Sequence, residues 1–348
     1  MMIGLEFHSP DALRIAELER PVAGDGEIVV DVVATGICGT DLKIARGEHR
    51  LYPAGTVRVP GHELVGRIRE NRSSRSELRV GDLVAIAPNV ACGDCRSCRR
   101  DHPNLCEHYA SVGLTFDGGL AESVLLPRRA VEQGNAIPLP EGMDPLDAVL
   151  MEPLAAVLRG LRAIDFGEGD SLVVIGAGPI GLLAVRLARQ LGASNIIVSQ
   201  TSPARRELAR RFGADHTVDP RAEDLAEAVR RLTDGVGADC VLVATPIPEV
   251  FRTSLELAAV GGRINFFAGL PSGKGETPLD ANLVHYRELV VTGSTANTTE
   301  DCVAALDILS ERAADYRPLI THTLPLTRAA EAFETAAEGS ALKVVVTP

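Results

Sequence analysis

The sequence predicts an α/β chain in two parts: an irregular β-rich part, then a doubly wound parallel sheet. Two observations carry this. Short Val/Ile runs separated by Gly and Pro fill about the first 150 residues. From Ser171 onward, strand-length apolar runs alternate with helical patterns, the signature of a parallel sheet. A length of 348 residues agrees with two domains.

In the first part, EIVVDVVATGI (27–37), VGRI (65–68) and DLVAIAP (82–88) read as small strands of a barrel-like unit. The RSSRS run at 72–76 reads as a solvated turn. Residues 144–164 have helical spacing, interrupted by Pro153. SLVVIGAG then reads as a buried strand entering a turn, and PIGLLAVRLARQLGA as a helix ended by Gly192. NIIVSQ is a second strand and SPARRELARRFGA a second helix. CVLVAT, GGRINFFAGL and LVVTGS are further strands. Domains are expected at 1–150, with a cysteine lobe at about 88–110, at 151–290, and at 291–348, where mixed structure returns.

Hydrophobic residues make up 45% of the chain and aromatics only 3%, with no Trp, so its cores are aliphatic. A net charge of -12 disfavours nonspecific nucleic-acid binding. No apolar run approaches the roughly 18–20 residues of a membrane span. The odd count of 7 cysteines, without a secretory signal segment, fits a reducing cytoplasm better than a disulfide framework.

Cys92, Cys95, Cys98 and Cys106 are spaced C-x2-C-x2-C-x7-C within Gly, Asp, Arg and Pro, a loop able to fold around an ion. Four thiolates suit a tetrahedral structural zinc, closed to substrate. Bacterial iron–sulfur runs share the opening but close with C-x3-C-P. Here seven residues intervene and Glu107 follows.

Gly176-Ala177-Gly178-Pro179-Ile180-Gly181 forms a G-x-G-x-x-G between a strand and a helix. Its glycines would permit a tight turn, backbone approach to a pyrophosphate, and close helix–strand packing. An NAD site usually has an acid at the end of the next strand. That strand instead ends Ser199-Gln200-Thr201-Ser202, with Arg205 and Arg206 beyond. Gln200 can bond a hydroxyl without repelling a 2′-phosphate; either arginine could reach one, or RRELARR reads simply as a solvated helix face. The reading leans to NADP or dual use.

Cys38, His62, Glu63 and Glu152 are competent zinc ligands, but spacing alone does not assemble them. A wider resemblance does. GICGTD (36–41), PGHE (60–63), VGDLVA (80–85), the four-cysteine lobe, DGGLAES (117–123), MEPLA (151–155) and VIGAGPIG (174–181) occur in a fixed order. In these the chain resembles, along essentially its whole length, the zinc-dependent medium-chain dehydrogenase/reductase family of alcohol, sorbitol and threonine dehydrogenases. The resemblance implies a GroES-like catalytic domain, a Rossmann nucleotide domain, and a C-terminal segment returning to the former. It implies two zincs per subunit, the catalytic one held by Cys38, His62 and either Glu63 or Glu152 with water. Thr40 would contact the reacting oxygen and pass its proton outward. Glu at 152, in place of Cys, resembles the sorbitol/threonine branch. The implied reaction is hydride transfer between a secondary alcohol and NAD or NADP, in a homodimer or homotetramer. Cys240 and Cys302 match no ligand position and read as buried filler.

Threonine dehydrogenases commonly carry His at the positions of Lys43 and Asn89, which argues against threonine as substrate. Lys43 reads first as a surface lysine, or else as a group near the pocket that attracts an anionic or hydroxyl-rich substrate. Residues 266–294 resemble polyol- and sugar-directed relatives. Asn282, His285, Tyr286 and Arg287 there read either as the lead into a strand or as a polar lining. The expected substrate is a polyol, sugar or cyclitol, free or phosphorylated. Threonine or a simple secondary alcohol is the alternative, and a nucleotide-binding protein without activity is the remote one.

Overall fold

The computed structural model describes residues 1–8, 12–271 and 273–348. The chain divides into two units, Met1–Ala155 with Ala296–Pro348, and Ala156–Thr295. The divisions fall a few residues beyond 150 and 290, so Glu152 and Asn297 both belong to the first unit.

The first unit is organised around the strand Ile28–Ile37. It pairs antiparallel with Glu63–Asn71, Ser123–Leu126 and Lys343–Thr347. All of its residues except Asp31 and Val33 are buried, which explains its nearly continuous apolar sequence. Two register shifts against Glu63–Asn71, at Val29/Val30 and Val32/Ala34, bend the pair. The Lys343–Thr347 strand brings the end of the chain into this sheet and pairs in parallel with Ile320–Pro325. The core between these strands is aliphatic, with Ile28, Val30, Leu64, Ile68, Val84, Ile86, Val124 and Leu126 together. At about 1.5–3 kcal/mol for each fully buried side chain, such a core needs no aromatic anchor.

The cysteine loop leaves and re-enters the unit through a two-stranded base, Asn89–Val90 against Ala110–Ser111. Within it the chain makes only 3-10 turns, at Cys98–Arg100 and Pro103–Leu105. Arg129, on the short helix Arg128–Glu132, clamps the base by donating to the Val90, Ala91 and His108 carbonyls.

Pro153 does not interrupt the helical stretch as its sequence suggests. The break lies upstream, between the helices Pro145–Ala148 and Met151–Arg162. Pro153 then falls in the first turn of the second helix, where no intrahelical partner awaits its missing N–H.

The second unit is a six-stranded parallel sheet with Ser171–Ile175 and Ala238–Val243 at its centre. Asn195–Ser199 and His216–Val218 lie outward on one side, and Ala258–Phe266 and Val290–Gly293 on the other. The order therefore reverses between Ser171–Ile175 and Ala238–Val243, where open α/β sheets bind ligands at their carboxyl ends. Cys240 is fully buried in this sheet, and burial pushes its thiol up to about 12. Cys302, also fully buried, lies in the first unit.

The glycine turn shows why each glycine stands where it does. Gly176 has φ +104°, a left-handed conformation that costs a side chain dearly. A Cβ on Gly181 would lie 1.9 Å from the Gly176 carbonyl oxygen. A Cβ on Gly178, the N-cap of the helix Pro179–Gln190, would meet nothing within 4 Å. Gly181→Ala should therefore cost about 1–3 kcal/mol by overpacking and lower the thermal midpoint by several degrees. Gly178→Ala should leave the midpoint nearly unchanged; equal midpoints in a thermal melt would refute this account of the turn.

Candidate functional site

Strand pairing assembles the site. Gly36 is opposite Glu63, so the end of Ile28–Ile37 lies beside the start of Glu63–Asn71. Cys38 follows one strand and caps the helix Gly39–Ala45; His62 and Glu63 open the other. Two glycines make room. A Cβ on Gly36 would lie 2.2 Å from Glu63 Oε2, and one on Gly61 2.8 Å from Thr35 Cγ2. One ligand atom each from Cys38, His62 and Glu63 then lies within 4.8 Å of the others. Thr40 is half-buried on the first helical turn, and Lys43 is exposed on the last.

The surroundings fit a metal. Asp41 accepts the Cys38 N–H at 2.9 Å through Oδ2. Its other oxygen faces His62 Nδ1 at 3.6 Å, and these two buried atoms have no hydrogen-bond partner among the described residues. A proton on Nδ1 would answer Asp41 and leave the Nε2 lone pair to an ion, the usual arrangement around a ligating histidine. Burial alone would lower the His62 pKa, but Asp41 and Cys38 outweigh it and hold it well above its ordinary value. Binding a cation there would thus release a proton. The donor set of sulfur, imidazole and carboxylate suits zinc.

The two glutamates are held differently. Both Glu63 oxygens receive Lys343 Nζ, at 2.7 and 2.6 Å, and Nζ also donates to the Ile37 carbonyl at 3.2 Å. Glu63 is 0% exposed and Lys343 3%. Burial works against the Lys343 ammonium, yet Glu63 outweighs it and its pKa is raised. Losing one partner of such a pair typically costs about 3–5 kcal/mol. Glu152, half-buried at the start of Met151–Arg162, lies outside the close three-residue set. Its carboxylate accepts from Asn297 Nδ2 at 2.7 Å. Burial raises its pKa, and Glu63 adds to that against His62, Asn297 and Lys343.

The four loop cysteines converge as their spacing suggests. Cys92–Cys98, Cys95–Cys98 and Cys95–Cys106 sulfurs lie 3.9, 3.5 and 3.9 Å apart. Those separations are far beyond a disulfide bond. Four sulfurs around one zinc at about 2.3 Å would stand roughly 3.8 Å apart. Backbone N–H groups of Cys98 and Glu107 bring the Cys95 thiol down to about 6. A hydrogen bond with Asp94 pushes Cys92 up to about 12. A cation is what would make all four thiolates at neutral pH.

In the second unit, a cavity of about 320 Å³ opens at the carboxyl ends of the central strands. Gly176, Ser199, Gln200, Thr201, Asp224 and Thr245 are among its lining. The open space at Gly178 and the helix N-terminus beside it fit a pyrophosphate; Pro179 and Ile180 begin that helix. Gln200 Oε1 accepts from the Ser202 N–H at 3.0 Å and the Thr201 hydroxyl at 3.2 Å. Arg206 holds the same turn through the Gln200 and Thr201 carbonyls, at 2.7 and 2.9 Å, and pairs with Asp219 at 3.0 Å. Arg221 joins it on Thr201 and Asp219. Arg205 is partly buried, and that burial lowers its pKa. Asn282, His285 and Tyr286 sit on the short helix Ala281–Tyr286, with Arg287 as its C-cap. Tyr286 is 77% exposed, and Arg287 donates to the Ala258 carbonyl.

Sequence reasoning missed Asp41, Lys343, Asn297 and Arg221. One signal was available: a lysine opening the apolar run KVVV is a charge at the head of a buried strand.

Comparison with known proteins agrees with this geometry. Residues 24–140 match the alcohol dehydrogenase GroES-like domain family, and residues 179–311 the zinc-binding dehydrogenase family. An L-threonine 3-dehydrogenase of Caldanaerobacter subterraneus is 34% identical over 351 residues, covering 99% of this chain and 97% of that protein. A D-arabitol-phosphate dehydrogenase of Enterococcus avium is 32% identical, with the same 99% and 97% coverage. A zinc-binding dehydrogenase of Sinorhizobium meliloti, solved bound to NADP, superposes with a TM-score of 0.92 at 32% identity over 100% of this chain and 99% of that one. The chain belongs to the zinc-dependent medium-chain dehydrogenase family, as an NAD(P)-linked alcohol dehydrogenase.

Proposed function

We propose that the enzyme interconverts a secondary hydroxyl of a polyol, sugar or cyclitol, free or phosphorylated, with the corresponding ketone. The observation that carries this is a polar centre of buried His62 and Glu63 with half-buried Cys38 and Glu152, the two carboxylates being held independently. When bound, zinc supplies Lewis acidity toward the substrate hydroxyl and the nicotinamide supplies the hydride acceptor. Cys38 and His62, with Glu63 or Glu152, hold the metal; Asp41 orients His62; Thr40 meets the substrate hydroxyl and hands its proton outward. Cys92, Cys95, Cys98 and Cys106 hold the structural zinc. We assign the catalytic role to 1–150 with 291–348, and cofactor binding to 151–290.

Likeness to arabitol-phosphate dehydrogenase supports a polyol. Likeness to threonine dehydrogenases favours threonine as the second reading. Against threonine, Asn89 is committed to Asn297 and Tyr109 rather than offered to a substrate. The proposed setting is a reducing cytoplasm, without nucleic-acid or membrane partners, as a homodimer or homotetramer.

A screen of polyols, sugar phosphates, cyclitols and threonine, followed at 340 nm with both cofactors, should give its highest kcat/KM with a polyol or its phosphate. A preference for threonine would overturn that assignment. Metal analysis should find two zincs per chain. Cys38→Ser should lose one of them and essentially all turnover while its far-ultraviolet circular dichroism and melt persist, because the cysteine loop keeps its own ion. Full activity in Cys38→Ser would defeat the catalytic assignment.

NADP is the proposed preferred cofactor. Gln200 stands where an acid would repel the 2′-phosphate, and Arg206 and Arg221 frame that turn. Charge-assisted contacts of about 1.5–3 kcal/mol predict that Arg206→Ala weakens 2′,5′-ADP binding by roughly 10–100-fold in calorimetry. AMP binding should change little; an equal loss for both ligands would show that Arg206 serves only the turn.

A further inference from the structure

Beyond the ligands themselves, the first unit contains a run of amides, half-buried at Asn89 and buried at Asn297, that ends on Glu152. Asn297, 0% exposed, donates its Nδ2 to Glu152 Oε1 at 2.7 Å and to the Glu152 carbonyl at 3.2 Å. Its Oδ1 accepts from Asn89 Nδ2 at 2.7 Å and from the Cys302 thiol at 3.4 Å. Asn89 Nδ2 also reaches the Asn297 carbonyl at 3.1 Å. Asn89 Oδ1 in turn accepts the Tyr109 hydroxyl at 2.5 Å. The Asn89 backbone is pinned as well: its carbonyl accepts from Asn135 Nδ2 at 2.8 Å, and it pairs with Ser111 at the base of the cysteine loop.

This chain has a direction. A carboxylate only accepts and a carboxamide does both, so a donor on one side of Asn297 and an acceptor on the other permit one orientation of its amide. Flipping it would set N–H2 against the Asn89 N–H2 and oxygen against Glu152. The Asn297 backbone carbonyl, which only accepts, fixes the Asn89 amide in the same way, and the Tyr109 hydroxyl then donates to Asn89 Oδ1. Three groups thus donate in sequence, Tyr109 to Asn89, Asn89 to Asn297 and Asn297 to Glu152, whose Oε1 ends the run as an acceptor.

We propose that Asn297 is the positioning residue of the Glu152 carboxylate, and that Tyr109 and Asn89 set its orientation from the base of the cysteine loop. The inference rests on the proposed metal centre, to which Glu152 contributes. It also gives Asn89 a role: the position introduces an amide link where threonine dehydrogenases commonly carry histidine. Cys302, read from sequence as filler, becomes a second donor that holds Asn297 Oδ1.

The test compares wild type, Asn297→Ala, Asn297→Asp and Tyr109→Phe. Two readouts are the rate at which a chelator removes the more labile of the two zincs and the visible absorption of the cobalt-substituted protein. Groups that orient ligands typically alter metal affinity or activity by about 10–100-fold. Asn297→Ala should speed zinc loss within that range and shift the cobalt band, with the second zinc retained as in wild type. Asn297→Asp keeps the shape but presents an acceptor to Glu152, and should not rescue. Tyr109→Phe removes one hydroxyl, which bonds to Asn89 Oδ1 rather than to a proposed ligand, and should move both readouts the same way by a smaller factor. Rescue by Asn297→Asp would overturn the proposal. So would wild-type lability and an unshifted band in Tyr109→Phe and in whichever Asn297 variants fold. A wild-type chain holding one zinc would instead remove the catalytic-centre reading, and the proposal with it.

Discussion

The buried pair of Glu63 and Lys343 is the constraint around which the first unit is built. It joins side chains 280 residues apart in sequence. Each ion costs several kcal/mol to take out of water, and only a close, well-partnered geometry offsets that. Here both carboxylate oxygens and the Ile37 carbonyl surround one ammonium. Such a site forms only if Lys343–Thr347 and Glu63–Asn71 flank the same strand, which they do through Ile37↔Val344 and Gly36↔Glu63. The absence of a side chain at Gly36 is part of the same solution. Cys38 leaves that central strand one residue after Ile37, so the pair and the candidate metal centre share one scaffold.

Much of this was legible in the sequence because it is local. The four cysteines and the glycine turn lie within short loops, where spacing itself sets geometry. His62 and Glu63 are consecutive, and Cys38 ends an apolar run long enough to be a strand. The alternation from Ser171 announced a parallel sheet, because only crossover helices connect parallel neighbours at that spacing. Long-range partners were not legible. Nothing near Glu152 in sequence points to Asn297, and nothing near Arg206 points to Arg221 and Asp219. Pro153 was also misleading: proline reads as a breaker, but its place in a first turn depends on where the helix begins. Residues 282–287 show the limit of compositional likeness, since a polar cluster such as His285 and Tyr286 can equally be a surface helix.

The two glutamates show how one centre can keep two carboxylates with separate tasks. Like charges close together disfavour one another, and environment decides which is kept ionised. Glu63 has a full counter-charge in Lys343, so its charge is matched before any metal arrives. Among the described residues the hydrogen-bond donor to the Glu152 side chain is neutral, Asn297, and burial together with Glu63 raises the Glu152 pKa against the pull of His62 and Lys343. A cation entering beside Cys38 and His62 therefore does more for Glu152 than for Glu63, because Glu63 already has a directly bonded counter-charge in Lys343. The neutral amide chain suits that arrangement. An ammonium in place of Asn297 would compete with the metal for Glu152, and an apolar residue would take away the donor that Glu152 Oε1 accepts from. A carboxamide fixes the carboxylate's direction while leaving its charge for the ion.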